Sequence, residues 1–123
     1  MQPSSQVNNP TPTQTQLPAP TPVPTDNPTF NAKVSSQEKI GNLIIVDGTL
    51  NGVSAPQDIV MTCNYPNGKT LAITRKNVSN YGNVFYPFET KVGGLGAGYI
   101  TVSLASTGKV LAKYNFTVIE QPR

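Results

Sequence analysis

The chain has no histidine, no tryptophan and one cysteine, and charged side chains make up 12% of its 123 residues. Each shortage closes a class of function. Without histidine, the commonest general base and metal ligand is missing, and serine hydroxyls have no imidazole to activate them. Asp47, Asp58, Glu89 and Glu120 stand singly on or beside different apolar stretches, so no carboxylate pair is predicted. Cys63 has no second cysteine for an intrachain disulfide, and with Met61 it falls short of the ligands a soft metal needs. The expectation is a protein that is not an enzyme and holds no cofactor or metal.

The charge deficit is equally informative. Soluble domains carry ~25% charged residues, and here the balance is +3, from 9 basic and 6 acidic side chains. That is too little and too scattered for the basic stripe that nucleic acid requires, and no nucleic-acid partner is expected. The longest uninterrupted aliphatic run is Leu43–Val46, far below the roughly 18 residues of a membrane helix. No window has helical periodicity of useful length.

Proline and threonine are concentrated at one end. Eight of the 12 prolines fall within the first 28 residues, where Asp26 is the only charged side chain. Residues 1–29 are therefore predicted to be a disordered Pro/Thr/Gln-rich stalk or linker, too poor in apolar surface to offset the entropy of ordering. The alternation Pro18-Ala19-Pro20-Thr21-Pro22-Val23-Pro24 favours extended polyproline II. Such a tether commonly stands a domain off a membrane or cell wall, and the full-length protein is expected to be anchored through this N-terminal side. A linker between domains of a longer protein is the alternative.

From Phe30 the pattern changes to short alternating stretches separated by glycine-rich turns, which sets residues 30–123 apart as one β domain. Strands are predicted at 30–34, at 42–50 with Ile44, Val46 and Leu50 inward, and at 58–65 with Ile59, Met61 and Cys63 on one side. Pro66-Asn67-Gly68-Lys69 turns the chain into a strand over 70–75. Val84, Tyr86 and Phe88 alternate next, with Pro87 demanding an edge or a break. The last two strands alternate Ile100, Val102 and Leu104, then Ala112, Tyr114, Phe116 and Val118, across a hairpin at 106–109. Six or seven such strands without a helix predict an antiparallel β-sandwich.

The succession Val46-Asp47-Gly48-Thr49-Leu50, Tyr65-Pro66-Asn67-Gly68-Lys69, Gly82-Asn83-Val84-Phe85, Gly98-Tyr99-Ile100-Thr101-Val102 and Tyr114-Asn115-Phe116-Thr117-Val118 resembles immunoglobulin-like modules of prokaryotic surface proteins. Macroglobulin-type and archaeal cell-surface repeats are similar over residues 42–119. Val84 departs from that pattern, standing where the family usually has its aromatic, with Phe85 on the next position. The resemblance implies an all-β, antiparallel immunoglobulin-like sandwich of about seven strands. It also implies an extracellular, cell-surface role in spacing, adhesion or assembly, and it brings no ligand or catalytic residue with it.

Three features could carry more. Gly93-Gly94-Leu95-Gly96-Ala97-Gly98 superficially resembles a phosphate cradle, but it has neither the Lys-Ser/Thr of a P-loop nor a helix to follow it, and reads as a loop crossing between sheets. Arg75, Lys76, Tyr81, Asn83 and Tyr86 form the one gathering of basic, aromatic and amide groups, a platform suited to a glycan if Tyr81 is exposed. Asn77-Val78-Ser79 and Asn115-Phe116-Thr117 match the N-glycosylation acceptor pattern. Asn77 is expected in a loop, and Asn115 on a strand. The partner expected from all this is a surface protein or a glycan. Edge-strand assembly into a filament or envelope complex is a further alternative, should the weakly alternating segment 30–40 leave an edge vacant.

Overall fold

The computed structural model describes residues 26–121. The expected stalk therefore lies, up to residue 25, outside the described residues. Asp26 and Asn27 are already tied to the domain, Asn27 N–H donating to the Gly52 carbonyl (3.1 Å) and Ser54 N–H to the Asp26 carboxylate (3.3 Å).

Eight strands follow: β1 (Thr29–Val34), β2 (Gln37–Lys39), β3 (Leu43–Asn51), β4 (Gln57–Asn64), β5 (Thr70–Val78), β6 (Asn83–Glu89), β7 (Gly96–Leu104) and β8 (Val110–Ile119). They form two sheets, in the orders β1-β3-β6 and β2-β8-β7-β4-β5. Every pair is antiparallel except β2 with β8. This is the expected all-β, immunoglobulin-like sandwich. The first strand is split between the layers, β1 joining the small sheet and β2 the large one. Segment 30–40 thus pairs within its own chain, and the vacant edge considered for it is absent.

Side chains alternate as the period of a strand requires. Phe30, Ile44, Val46, Leu50, Val84 and Phe88 point inward from the small sheet. Ile59, Met61, Cys63, Ile100, Val102, Leu104, Phe116 and Val118 meet them from the large one. On β6 the inward set is Val84, Tyr86 and Phe88, so Phe85 faces out and the departure from the surface-module pattern is accommodated by an aliphatic core position. Pro87 sits on β6, an edge strand, where its missing N–H costs no ladder bond. β5 runs to Val78, three residues beyond the predicted strand end, because its last turn pairs with Gln57 across a bulge.

Two local devices lock the layers. Thr90 is the one fully buried polar side chain among the described residues. Its hydroxyl donates to the Asn42 carbonyl (2.8 Å) and accepts from Gly41 N–H (2.8 Å), pinning the β2–β3 turn to the end of β6. The glycine run is the second device, and it does cross between sheets as expected, linking β6 to β7. A Cβ on Gly93 would run into the Tyr65 ring. One on Gly98 would stand 2.5 Å from both the Asn64 carbonyl oxygen and Cζ of Phe116. The glycines are bare so that two aromatic rings can lie on backbone. Gly98→Ala is expected to destabilise the domain by about 1–3 kcal/mol through overpacking against Phe116, seen as a lower denaturant midpoint with an unchanged m-value.

Candidate functional site

The residues gathered by sequence reasoning meet along one open side of the sandwich, between the edge strands β5 and β6, and at the loop joining them. Arg75 lies opposite Ile59 in the β4–β5 ladder, so it leans toward the interior where the small sheet gives no cover. Its Nη2 donates to the Phe85 carbonyl (3.1 Å), and its guanidinium carbon stands 5.5 Å from the centre of the Tyr86 ring. Tyr86 is half-buried and packs edge-on against Phe88, centroids 4.7 Å apart at 61°. Arg75 and Tyr86 thus form a clamp that joins the two sheets where backbone pairing stops.

The other members are placed differently. Asn83 Nδ2 donates to Asp47 Oδ1 and to the Gly48 carbonyl, both at 2.9 Å, which ties the start of β6 to the middle of β3. Lys76 is exposed on β5. Tyr81 projects from the β5–β6 loop at 76% exposure. Asn80, beside it, accepts from Gly52 N–H (2.7 Å) and Val53 N–H (3.3 Å). Of the predicted platform, then, Arg75, Tyr86 and Asn83 make contacts within the fold, and Tyr81 and Lys76 face solvent.

Both acceptor sequences are exposed at their asparagines. Asn77 lies at the end of β5 in a left-handed conformation (φ 56°), its N–H donating to Asp58 Oδ1 (3.0 Å). Asn115 and Thr117 lie on the outer face of β8, and Phe116 between them enters the core.

Sequence reasoning passed over an apolar surface on the outside of the small sheet. Outward residues of the small sheet are Leu43 (42% exposed), Ile45 (40%) and Phe85 (45%), with Pro87 paired directly to Ile45. An open groove lined by Lys33, Glu38, Leu43, Ile45 and Asp47 runs beside them. The signal was present, since Leu43, Ile45 and Phe85 are the alternates of the inward sets. Apolar residues on both faces of β3 are what a strand contacting something on each side would carry.

Cys63 is fully buried on β4, between β5 and β7. Being interior, that strand does not present the thiol for a disulfide between chains. Burial pushes its pKa up to about 11, and the neighbouring Tyr65 hydroxyl lowers it by less. That hydroxyl is itself buried and makes no hydrogen bond of good geometry. Among the described residues no three Cys, Asp or Glu side chains stand together as metal ligands.

No protein-family model matches the chain, and no curated protein matches it. Solved structures offer distant likenesses. The CARDB domain of a Pyrococcus furiosus protein, in complex with di-metal ions, is 13% identical over 82% of this chain and 100% of that chain, at a TM-score of 0.47. A cohesin module of a Clostridium perfringens family 33 glycoside hydrolase is 11% identical over 79% of this chain and 100% of that one, at 0.41. Identities this low concern the fold alone.

Variants and reactivity at Arg75 and Cys63 test these assignments. Arg75→Ala is expected to cost about 1–2 kcal/mol in denaturant unfolding, and Arg75→Lys to recover little of it, because an ammonium cannot both stack flat on Tyr86 and reach the carbonyl. Cys63 is expected to resist a thiol reagent at pH 8 until the domain unfolds. Its raised pKa also means that the unfolded chain ionises first. Stability from this group is full below about pH 9, the ordinary value, and falls as pH climbs toward about 11. Cys63→Ala is expected to flatten that alkaline decline.

Proposed function

We propose that the domain is a non-catalytic, extracellular adhesion and assembly module that contacts a second copy of itself through the outer face of the small sheet. The observation that carries this is the contiguous exposure of Leu43, Ile45 and Phe85 beside Pro87. The groove at its edge contains Lys33 together with Glu38 and Asp47. With both signs present, a copy of the same face meets complementary charge instead of uniform repulsion. The Pro/Thr-rich sequence ahead of the domain, the low charge and the likeness to surface modules support a location outside the cell. A stalk would serve this reading by holding the face clear of a wall or membrane.

Sedimentation of the full chain over about a hundredfold concentration range tests it, since a face of this size suits reversible association. Ile45→Lys is expected to weaken self-association at least tenfold, about 1.4 kcal/mol, with the unfolding midpoint unchanged. A wild-type chain that stays monomeric throughout overturns self-assembly and directs attention to a different protein partner.

A further inference from the structure

The β5–β6 loop is a four-residue turn, Ser79-Asn80-Tyr81-Gly82, closed by Gly82 N–H donating to the Ser79 carbonyl (2.7 Å). Tyr81 occupies its third position with φ 65°. A positive φ there is the mark of turns that favour glycine or asparagine, because a Cβ crowds the backbone. A tyrosine in that conformation is strained, and packing usually compensates a strained residue. Here packing does not, since the side chain is 76% exposed. What the fold takes from this residue is its backbone, whose N–H donates to the Leu50 carbonyl (2.6 Å), a bond glycine would make as well. The ring is therefore held outward at a cost to stability and without return inside the domain.

We infer that Tyr81 is a ligand-contacting residue, and that its ligand is a saccharide stacked on the exposed ring. The surroundings select the ligand class. A protein hot spot sits among apolar neighbours that exclude water. The other large exposed apolar side chains, Leu43, Ile45, Leu71, Phe85, Val92, Leu95, Tyr99 and Val110, belong to sheet faces, edges or other loops. At this tip the exposed neighbours are the hydroxyls of Ser54 and Ser79 and the amide of Asn80, with the Asp26 carboxylate held on Ser54 N–H (3.3 Å). Asn80 spends its Oδ1 on Gly52 and Val53 N–H, which holds the turn against the β3–β4 loop and fixes the backbone from which the ring projects. An exposed aromatic beside hydroxyl, amide and carboxylate groups matches the apolar C–H face and hydroxyl rim of a sugar. This deepens the expectation of a glycan ligand from the sequence and is independent of the self-association proposed above.

The test has two readouts on the full chain. Tyr81→Gly is expected to raise the melting temperature by several degrees. Amide chemical shifts are followed while cellohexaose, chitohexaose and mannohexaose are each titrated to about 10 mM, a range that covers weak affinities. Shifts confined to residues 52–54 and 79–82 with at least one hexasaccharide are expected, lost at least tenfold in Tyr81→Gly and retained in Tyr81→Phe, which keeps the ring face. A lower melting temperature in Tyr81→Gly would show that the residue serves the fold and overturn the inference. Wild-type amides unmoved by all three hexasaccharides would overturn the saccharide. Because Ile45→Lys leaves this tip untouched, it is expected to titrate like the wild type, so failure of the assembly reading and failure of this one are told apart.

Discussion

A three-stranded sheet has to cover a five-stranded one, and most of the particular features of this domain follow from that mismatch. Two layers of unequal width leave the larger one overhanging. With one cysteine, the chain has no disulfide to hold the margins together. On one side the backbone itself closes the gap, because the first strand leaves the small sheet at Val34 and joins the large one at Gln37. On the opposite side the chain crosses at one end, through the Ser79–Gly82 turn, and farther along Leu71 and Ile73 on β5 remain only partly covered. Arg75 closes that margin. Its long stem spans the edge, and its planar head satisfies a carbonyl of β6 that faces away from the β3 ladder, lying on the Tyr86 ring at the same time.

Strand positions and facing were legible in the sequence wherever burial alternates strictly. Ile44/Val46, Ile59/Met61/Cys63, Ile100/Val102 and Phe116/Val118 each read correctly because a one-residue slip would expose the whole set. β2 was not legible as a strand of its own. Gln37-Glu38-Lys39 has no apolar pattern and is held by backbone pairing to β8, with Ile40 N–H on the Ile119 carbonyl (2.8 Å). Thr90 looked like any surface threonine, since its burial comes from the meeting of two distant turns. The glycine cluster was correctly read as structural, yet the rings that require it, Tyr65 and Phe116, lie 28 and 18 positions from Gly93 and Gly98. Pairings at that separation are set by the tertiary fold.

The candidate site was legible in part, for a related reason. Basic, aromatic and amide residues close in sequence do gather at the β5–β6 margin, and residue type alone does not divide them into those facing the fold and those facing solvent. Arg75, Tyr86 and Asn83 are drawn into the fold by partners on β6, β5 and β3. Tyr81 is pushed out by the geometry of one turn. The outer face of the small sheet was overlooked because Leu43, Ile45 and Phe85 sit between core residues, where an apolar residue draws no notice in a linear reading.

The directions of the first and last strands have a mechanical consequence. The described chain enters beside Gly52, at one end of the sandwich, and leaves after Ile119, beside Lys39 at the other. The nine residues of β3 separate those ends by about 30 Å. A load applied along a tether on one side and a continuation on the other would run parallel to the strands. β2 and β8 are parallel neighbours, Gln37 to Lys39 against Thr117 to Ile119, and such a load would draw them past each other. Their hydrogen bonds would resist together in shear instead of parting one at a time from an end. Under tension, a polar strand of three residues becomes the fastening of the whole domain.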